Sequence, residues 1–446
     1  MIGLDARTLT FTAAVASITA LLVSLVPALQ ASVLRPIDAL KGGGTNATER
    51  GLHAFGSRTA LVTAQIALAL ILMAGAGLMI RSASRLYATD IGVNPDRVLT
   101  VRLDLPGATY TSDTGHSFLT QLANRIRLVP GIESVGLGNC APVSGGCNST
   151  SLWFPDTPRN GAGNDPLVGI YWASPEYFPT LGIRLLAGRL FTAHDRAGQP
   201  QVALVSEAAA REHWPNDTPI GKRIFVGQGG FHTTGAEVIG IVSNVRYRAV
   251  DAPPRADVYI PVSQSYTSRI RLFIRSSLDT SSVVRSVTRE VRSLDPNLPL
   301  SDIKSMEDWV GDAMWRTRVG MWLLSAFAGL ALLLTAIGIF GVMAQTVLQR
   351  TPEIGLRMAL GAQRRDVLSL VLRRAVILTA AGLAIGIGSA LTLTRVMSTL
   401  LYDVPPHDPM TFGGVALLLG LVALAACYVP ARRATRVDAV VALRSE

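Results

Sequence analysis

Five long apolar stretches, broken by one long polar segment, constrain this chain more than any other feature. They run roughly over residues 9–29, 61–80, 319–342, 375–393 and 412–429. Each is close to the about 20 residues that cross a bilayer as a helix. None carries an acidic or basic side chain in its central portion. The chain is 49% hydrophobic and only 16% charged, against roughly 25% in soluble domains. The expected architecture is therefore an α-helical transmembrane bundle of five spans.

The net charge of +10 raises nucleic acid as a partner, and the distribution of the charge argues against it. Basic residues gather beside the spans: Arg35, Lys41, Arg50 and Arg58; then Arg350, Arg357, Arg364 and Arg365; then Arg432, Arg433 and Arg436. The link between the last two spans instead carries Asp403 and Asp408, with Arg395 at its edge. The positive-inside rule puts the three basic stretches in the cytoplasm, where anionic membrane lipids add attraction. The N-terminus is then outside, the C-terminus inside and residues 81–318 outside. A cleaved signal peptide is a poorer reading of the first stretch: Asp5 and Arg7 cancel in its flank, and no A-x-A site closes it.

A repeat is visible. Pro430-Ala431 and Ala442-Leu443-Arg444 match Pro27-Ala28 and Ala39-Leu40-Lys41 at a single constant offset. The first span thus reads as the tail of a preceding unit, and the other four spans with the polar segment as one complete unit.

The polar segment reads as α+β. Leu99, Val101, Leu103 and Leu105 alternate with Thr100, Arg102 and Asp104, the pattern of a half-buried strand. Residues 238–242, 258–260 and 270–274 read as further strands. Phe118, Leu122, Ile126 and Val129 recur at helical spacing before Pro130-Gly131, as do Val283, Val287, Val291 and Leu294 before Asp295-Pro296. About 235 residues can bury a core in one or two subdomains. Residues 81–90 extend the second span outward as a long helix, and 309–318 lead into the third.

Catalytic chemistry is not legible. Gly221-Lys222 precedes Arg223 and lacks the upstream glycine of a phosphate loop, so no ATPase motif is present. His53, His116, His194, His213, His232 and His407 form no metal-ligand spacing. No catalytic residue, metal or cofactor is expected. Ser206 suits a helix cap, and Cys427 lies in the last span as a packing residue. Cys140 and Cys147 flank a short turn outside, where a disulfide loop and two free thiols are both open. The spans lack the buried charges of ion-coupled carriers; they offer Gly75, Gly77, Gly338, Gly341, Gly382 and Gly386 for close packing.

One stretch between the third and fourth spans reads as a short cytoplasmic helix. Pro352 suits its first turn, Glu353 its positive end and Gly361 its stop. Ile354 and Met358 lie one turn apart.

Glu353-Ile354-Gly355-Leu356-Arg357-Met358-Ala359-Leu360-Gly361-Ala362 resembles the signature of the FtsX-like permeases. Leu400 to Phe412 resembles that family's outer turn, and Pro430-Ala431-Arg432-Arg433-Ala434 its terminal motif. Tyr177-Phe178 with Gly182-Ile183, Gly188-Arg189 and Asp195 is similar to the MacB-type periplasmic core domain, as is Pro219-Ile220-Gly221-Lys222 followed by residues 238–242. Gln65 leading to Arg81-Ser82 matches the span that opens a unit. The resemblance, which covers nearly the whole chain, is best with the duplicated permeases. Ala439 and Arg373-Arg374 depart from the family pattern.

The resemblance implies four segments: 1–50, the last helix of a preceding unit with a cytoplasmic linker; 51–90, the helix opening the complete unit; 91–315, the extracytoplasmic core domain; and 316–446, a permease domain with three spans. It also implies that a separate cytoplasmic ABC ATPase pushes on Glu353–Ala362, so that long helices move the outer domain, alongside a second permease unit. A non-transporting scaffold or sensor is the other class of reading.

Overall fold

The computed structural model describes residues 9–14, 16–18, 20–21, 46–155, 165–227, 234–349, 363–396, 402–405 and 407–434. They divide into two compact units, one comprising 68–333 with 384–420, the other 1–67, 334–383 and 421–446.

Four helices are long and apolar enough to cross a membrane among the described residues: α1 (Asn46–Tyr87), α7 (Trp315–Gln349), α8 (Arg364–Val396) and α9 (Pro409–Ala434). They contain the last four expected spans. The first expected span is described only at residues 9–14, 16–18 and 20–21, which are helical. The apolar window of α1 is 50% buried, against 17% for α7 and 22% for α8 and α9. Among the described residues, the last three helices thus leave most of their apolar surface exposed.

In the smaller unit, Val62 and Ile66 of α1 pack with Ile339 and Met343 of α7, Ala375 of α8 and Ala423 and Cys427 of α9. A side chain at Gly382 would put its Cβ 2.7 Å from that of Ile66, so glycine sets how closely α8 approaches α1.

The larger unit holds the polar domain. Its strands are β1 (Val98–Asp104), β2 (Ile132–Gly138), β3 (Asn148–Trp153), β4 (Leu167–Ala173), β5 (Leu185–Gly188), β6 (Val202–Ser206), β7 (Arg223–Val226), β8 (Ala236–Val242), β9 (Asp257–Pro261), β10 (Arg269–Ser276) and β11 (Leu300–Ser305). They run in the order β11-β1-β10-β2-β4-β3-β7-β8-β6-β9, with β5 on β8. Strand β9 also pairs in parallel with β4, Ile170 beside Val258, so β4-β3-β7-β8-β6-β9 closes into a ring. An open antiparallel sheet, β11-β1-β10-β2, leads into it.

The helices α2 (Ser112–Arg127) and α5 (Thr280–Leu294) cover one face of that open sheet. Thr111 and Thr114 form a capping box at the start of α2, and the Asp279 side chain accepts from Ser282 N at the start of α5. Phe118, Leu122, Ile126, Val283, Val287 and Val291 then enter one core with Leu99, Val101, Leu103 and Leu105. Short helices α3 (Tyr177–Leu181) and α4 (Glu207–His213) complete the domain, with Ser206 capping α4.

Two local expectations need correction. Alternation puts Thr100 on the solvated face of β1, yet it is fully buried. The other side of the strand is covered by α6 (Met306–Ala313), whose Trp309 Nε1 donates to the Thr100 hydroxyl at 3.0 Å. Residues 309–318 are also not one helix: α6 ends at Met314, and α7 starts directly afterwards.

Candidate functional site: the joints between helices and domain

The predicted coupling segment, Glu353, Ile354, Gly355, Arg357, Met358, Ala359, Leu360, Gly361 and Ala362, lies outside the described residues. The described functional geometry is at the other end of the helices, where α1, α6 and the 402–411 turn meet the polar domain.

Helix α1 continues past its apolar run, through Arg81, Ser82 and Arg85, to Tyr87. Ser82, itself buried, accepts a hydrogen bond at its hydroxyl from Tyr402 N at 2.8 Å. Asp408 caps α9: its carboxylate accepts from Thr411 N at 3.0 Å and Thr411 Oγ1 at 2.6 Å, and it also takes Arg81 Nη1. The Thr411 hydroxyl, with Arg81 adding its charge, holds the Asp408 carboxyl below the usual carboxylate range. Arg85 pairs with Asp403 at 3.1 Å, but Asp403 is 77% exposed, so that pair adds little. Asp408 is therefore the latch between α1 and the turn.

Losing the cap in Asp408→Ala should cost about 1 kcal/mol locally. Arg81 is 35% exposed but Asp408 only 9%, so losing the ion pair also weakens the hold on α1, beyond the cost of the cap. Amide exchange across 402–412 should accelerate about fivefold, with Asp408→Asn restoring much of the protection because asparagine also caps. Equal exchange in the wild type and the alanine variant would remove the latch.

Beyond Tyr87 the chain is fastened on both sides. Arg246 N donates to Ile91 O at 3.0 Å and Asn94 N to Leu181 O at 2.8 Å, while Arg275 donates to Asp96 O at 2.7 Å and to Asn94 O. Leu86, Ile91 and Val93 share a buried cluster with Met306 and Met314, so the outer end of α1 and the entry to α7 rest on one core.

The second joint is Trp309. The Arg271 guanidinium lies 5.1 Å and the Lys304 ammonium 4.7 Å from its ring centre, two cation–π contacts. Arg271, 7% exposed, is held by Asp302 Oδ2 at 2.6 Å and donates to the Thr100 hydroxyl. The three strands β11, β1 and β10 are thereby tied to the helix that leads into α7.

The segment 246–248 carries the first joint inward. Val143 N donates to Arg246 O, Gly146 N to Tyr247 O and Gly145 N to Arg248 O, all within 3.0 Å. These donors belong to the turn between Cys140 and Cys147, whose Sγ atoms are bonded, with Cα atoms 5.8 Å apart. Behind the segment, Tyr247 stacks on Tyr171 at 3.7 Å and meets the Tyr177 hydroxyl at 2.8 Å. Asp257 lies against this group, 2% exposed, with no hydrogen-bond partner for Oδ1 among the described residues. Burial pushes its carboxyl up to about 7, against the pull of Arg255 and Arg248.

None of Arg81, Asp408, Trp309, Arg271 and Asp257 was singled out by chemistry in the sequence. One signal was available: Asp408-Pro409-Met410-Thr411 before an apolar run is a helix-start pattern.

The chain is similar to known proteins. The family described as MacB-like periplasmic core domain matches residues 59–294, and the one described as FtsX-like permease C-terminal matches 325–439. The chain is 26% identical over 431 residues to the macrolide export ATP-binding/permease protein MacB of Agrobacterium fabrum, covering 93% of this chain and 64% of that protein. It is 28% identical over 275 residues to the MacB protein of Marinobacter nauticus, covering 59% of this chain and 41% of that one. The chain spans about half the length of such relatives. The crystal structure of the periplasmic region of MacB from Actinobacillus actinomycetemcomitans aligns with 49% of this chain and 92% of that one, at 19% identity and a TM-score of 0.33. With the core-domain match covering more than half of the chain and the permease match following it, this protein belongs to the FtsX-like, MacB-type family of ABC transporter permeases.

Proposed function

We propose that the chain is the moving membrane subunit of an ABC transporter, driven by a separate cytoplasmic ATPase. The observation that carries this reading is the fastening of α1 at two levels, to the 402–411 turn through Asp408 and to the polar domain through Ile91 and Asn94. A long helix held this way passes displacement along its axis, whereas a loose linker would absorb it. The segment Glu353–Ala362 is the docking element for the ATPase, and movement of the polar domain serves export or mechanotransmission. The relatives' name, macrolide export, favours export.

The positive-inside pattern supports five spans, with the N-terminus out and the C-terminus in. The exposed apolar faces of α7, α8 and α9 leave room for a second permease unit and for lipid. A bonded Cys140–Cys147 pair fits an oxidising compartment around the polar domain.

The test is copurification of the full chain with ABC ATPases of its own genome. One ATPase should bind, and its hydrolysis rate should rise on adding the permease. If none binds and no rate changes, the scaffold or sensor reading takes over.

A further inference from the structure

Beside the outer end of α1 the domain opens into a cleft of about 390 Å³, formed by the 90–94 linker, the start of β5, the start of α4 and the segment after β8. The cleft exists because Gly92, at φ +81°, lets the linker cross the 243–246 segment closely. A Cβ there would fall 1.8 Å from the Asn244 carbonyl oxygen. Volumes of this order are those of small-molecule sites.

Both signs of charge line the cleft, and each is incompletely paired. Arg184 is exposed, and its guanidinium has no partner among the described residues. Arg246 spends Nη1 on the carbonyls of Val250 and Ala252, while its buried Nε has no partner among the described residues. Opposing them, Asp90 uses Oδ1 to accept from Gly92 N and has no ion pair among the described residues. Glu207 receives Asn244 Nδ2 and the exposed Arg211. A simple anion would meet two carboxylates here, and a simple cation two guanidinium groups. A small molecule carrying both charges satisfies both sets. Guanidinium groups favour phosphate through paired N–H donors.

Position adds a second argument. The apolar run of α1 ends at Ile80, and the helix continues unbroken to Tyr87, about 10 Å further at 1.5 Å per residue. The headgroup layer of one leaflet is about 5–8 Å thick, so Asp90 and Gly92 stand a few Å past it, beside the membrane surface. We propose that the cleft binds a phosphate–ammonium zwitterion, the chemistry of a phosphoethanolamine headgroup, with Arg184 and Arg246 on the phosphate and Asp90 and Glu207 toward the ammonium. A bound headgroup would bridge the linker after α1 to the 243–254 segment.

Hydrogen exchange of the full chain, read on peptides spanning 88–95 and 243–254, tests this. In detergent, free phosphoethanolamine should protect both peptides at least tenfold more potently than inorganic phosphate or ethanolamine. In nanodiscs, phosphatidylethanolamine should protect them relative to phosphatidylglycerol. A response in nanodiscs alone assigns the ligand to the membrane, and a response in detergent alone assigns it to a solute; either supports the site. Arg184→Ala and Asp90→Asn should each weaken the response about tenfold while leaving exchange in α2 unchanged. The asparagine side chain in Asp90→Asn keeps an acceptor for Gly92 N, and Arg184 has no partner to lose. Equal protection by phosphate alone, equal responses of wild type and both variants, or no response in either medium overturns the proposal. No readout involves an ATPase, so the result stands apart from the coupling reading.

Discussion

Leu360→Glu, and separately Arg357→Glu, should yield a folded, inserted protein that no longer binds or stimulates its ATPase. The segment from Glu353 to Ala362 is short, and a short helix seated in a protein groove depends on a few desolvated anchors. Truncating such an anchor costs about 2 kcal/mol or more, which is roughly thirtyfold in affinity at 1.4 kcal/mol per decade. A glutamate at 360 does more than truncate, because docking would bury a charge without a partner. In the helix that the sequence predicts there, Glu353 and Arg357 are one turn apart and would pair, so reversing Arg357 tests docking and helix integrity together. Leu360→Glu separates the two, since glutamate keeps helix propensity close to that of leucine. A pull-down titration resolves a thirtyfold change. If both variants bind and stimulate like the wild type, the segment is only a connector and the scaffold reading gains.

The second large effect belongs to Asp257. Its folded pKa of about 7 lies above the ordinary 3.8, so the folded protein keeps a proton that the unfolded chain releases between those values. Stability should therefore fall as pH rises from about 4 to about 7, and level off above. The span is on the order of 4 kcal/mol at 1.36 kcal/mol per decade. The groups that face this carboxyl are Tyr171 on β4, Tyr177 on α3, Tyr259 on β9, and Arg248 and Arg255 on the segment before β9. Neither arginine ends up as its hydrogen-bond partner: Arg255 donates to Ser149 Oγ and Leu167 O instead. Asp257→Asn removes the titration. Thermal unfolding of the full chain in detergent should then show a wild-type-minus-variant difference that changes steadily from pH 4 to 7 and is flat beyond. A difference independent of pH would mean that the carboxyl is already ionised in the folded protein.

The surroundings of Asp257 also reach the first joint. The 246–248 segment touches Tyr171 and Tyr177 behind it, the 140–147 turn beside it and Ile91 of the linker in front.

By itself the sequence determined what depends on neighbours along the chain. Apolar runs long enough to span a bilayer became α1, α7, α8 and α9, because a span must satisfy its own backbone within one helix. Period-two alternation located β1 and β10, and short apolar runs located β8 and β9. Helical spacing ended by Pro130-Gly131 and Asp295-Pro296 located α2 and α5, since such stops act on the residues next to them. The family was legible too, from short motifs spread over most of the chain. Tertiary structure decided what depends on residues brought together from afar. Arg81 and Asp408 are 327 positions apart, Thr100 and Trp309 are 209 apart, and the parallel pairing of β9 with β4 closes the ring across everything between them. Thr100 reads as solvated from alternation alone; it is buried because α6 covers it. Asp257 stands just before the 258–260 run with no sign in the sequence that it is buried, and only the closing of tyrosines around it removes its water. In each case the partner is chosen by packing geometry and by the desolvation of a polar group, and neither leaves a periodic trace in the sequence.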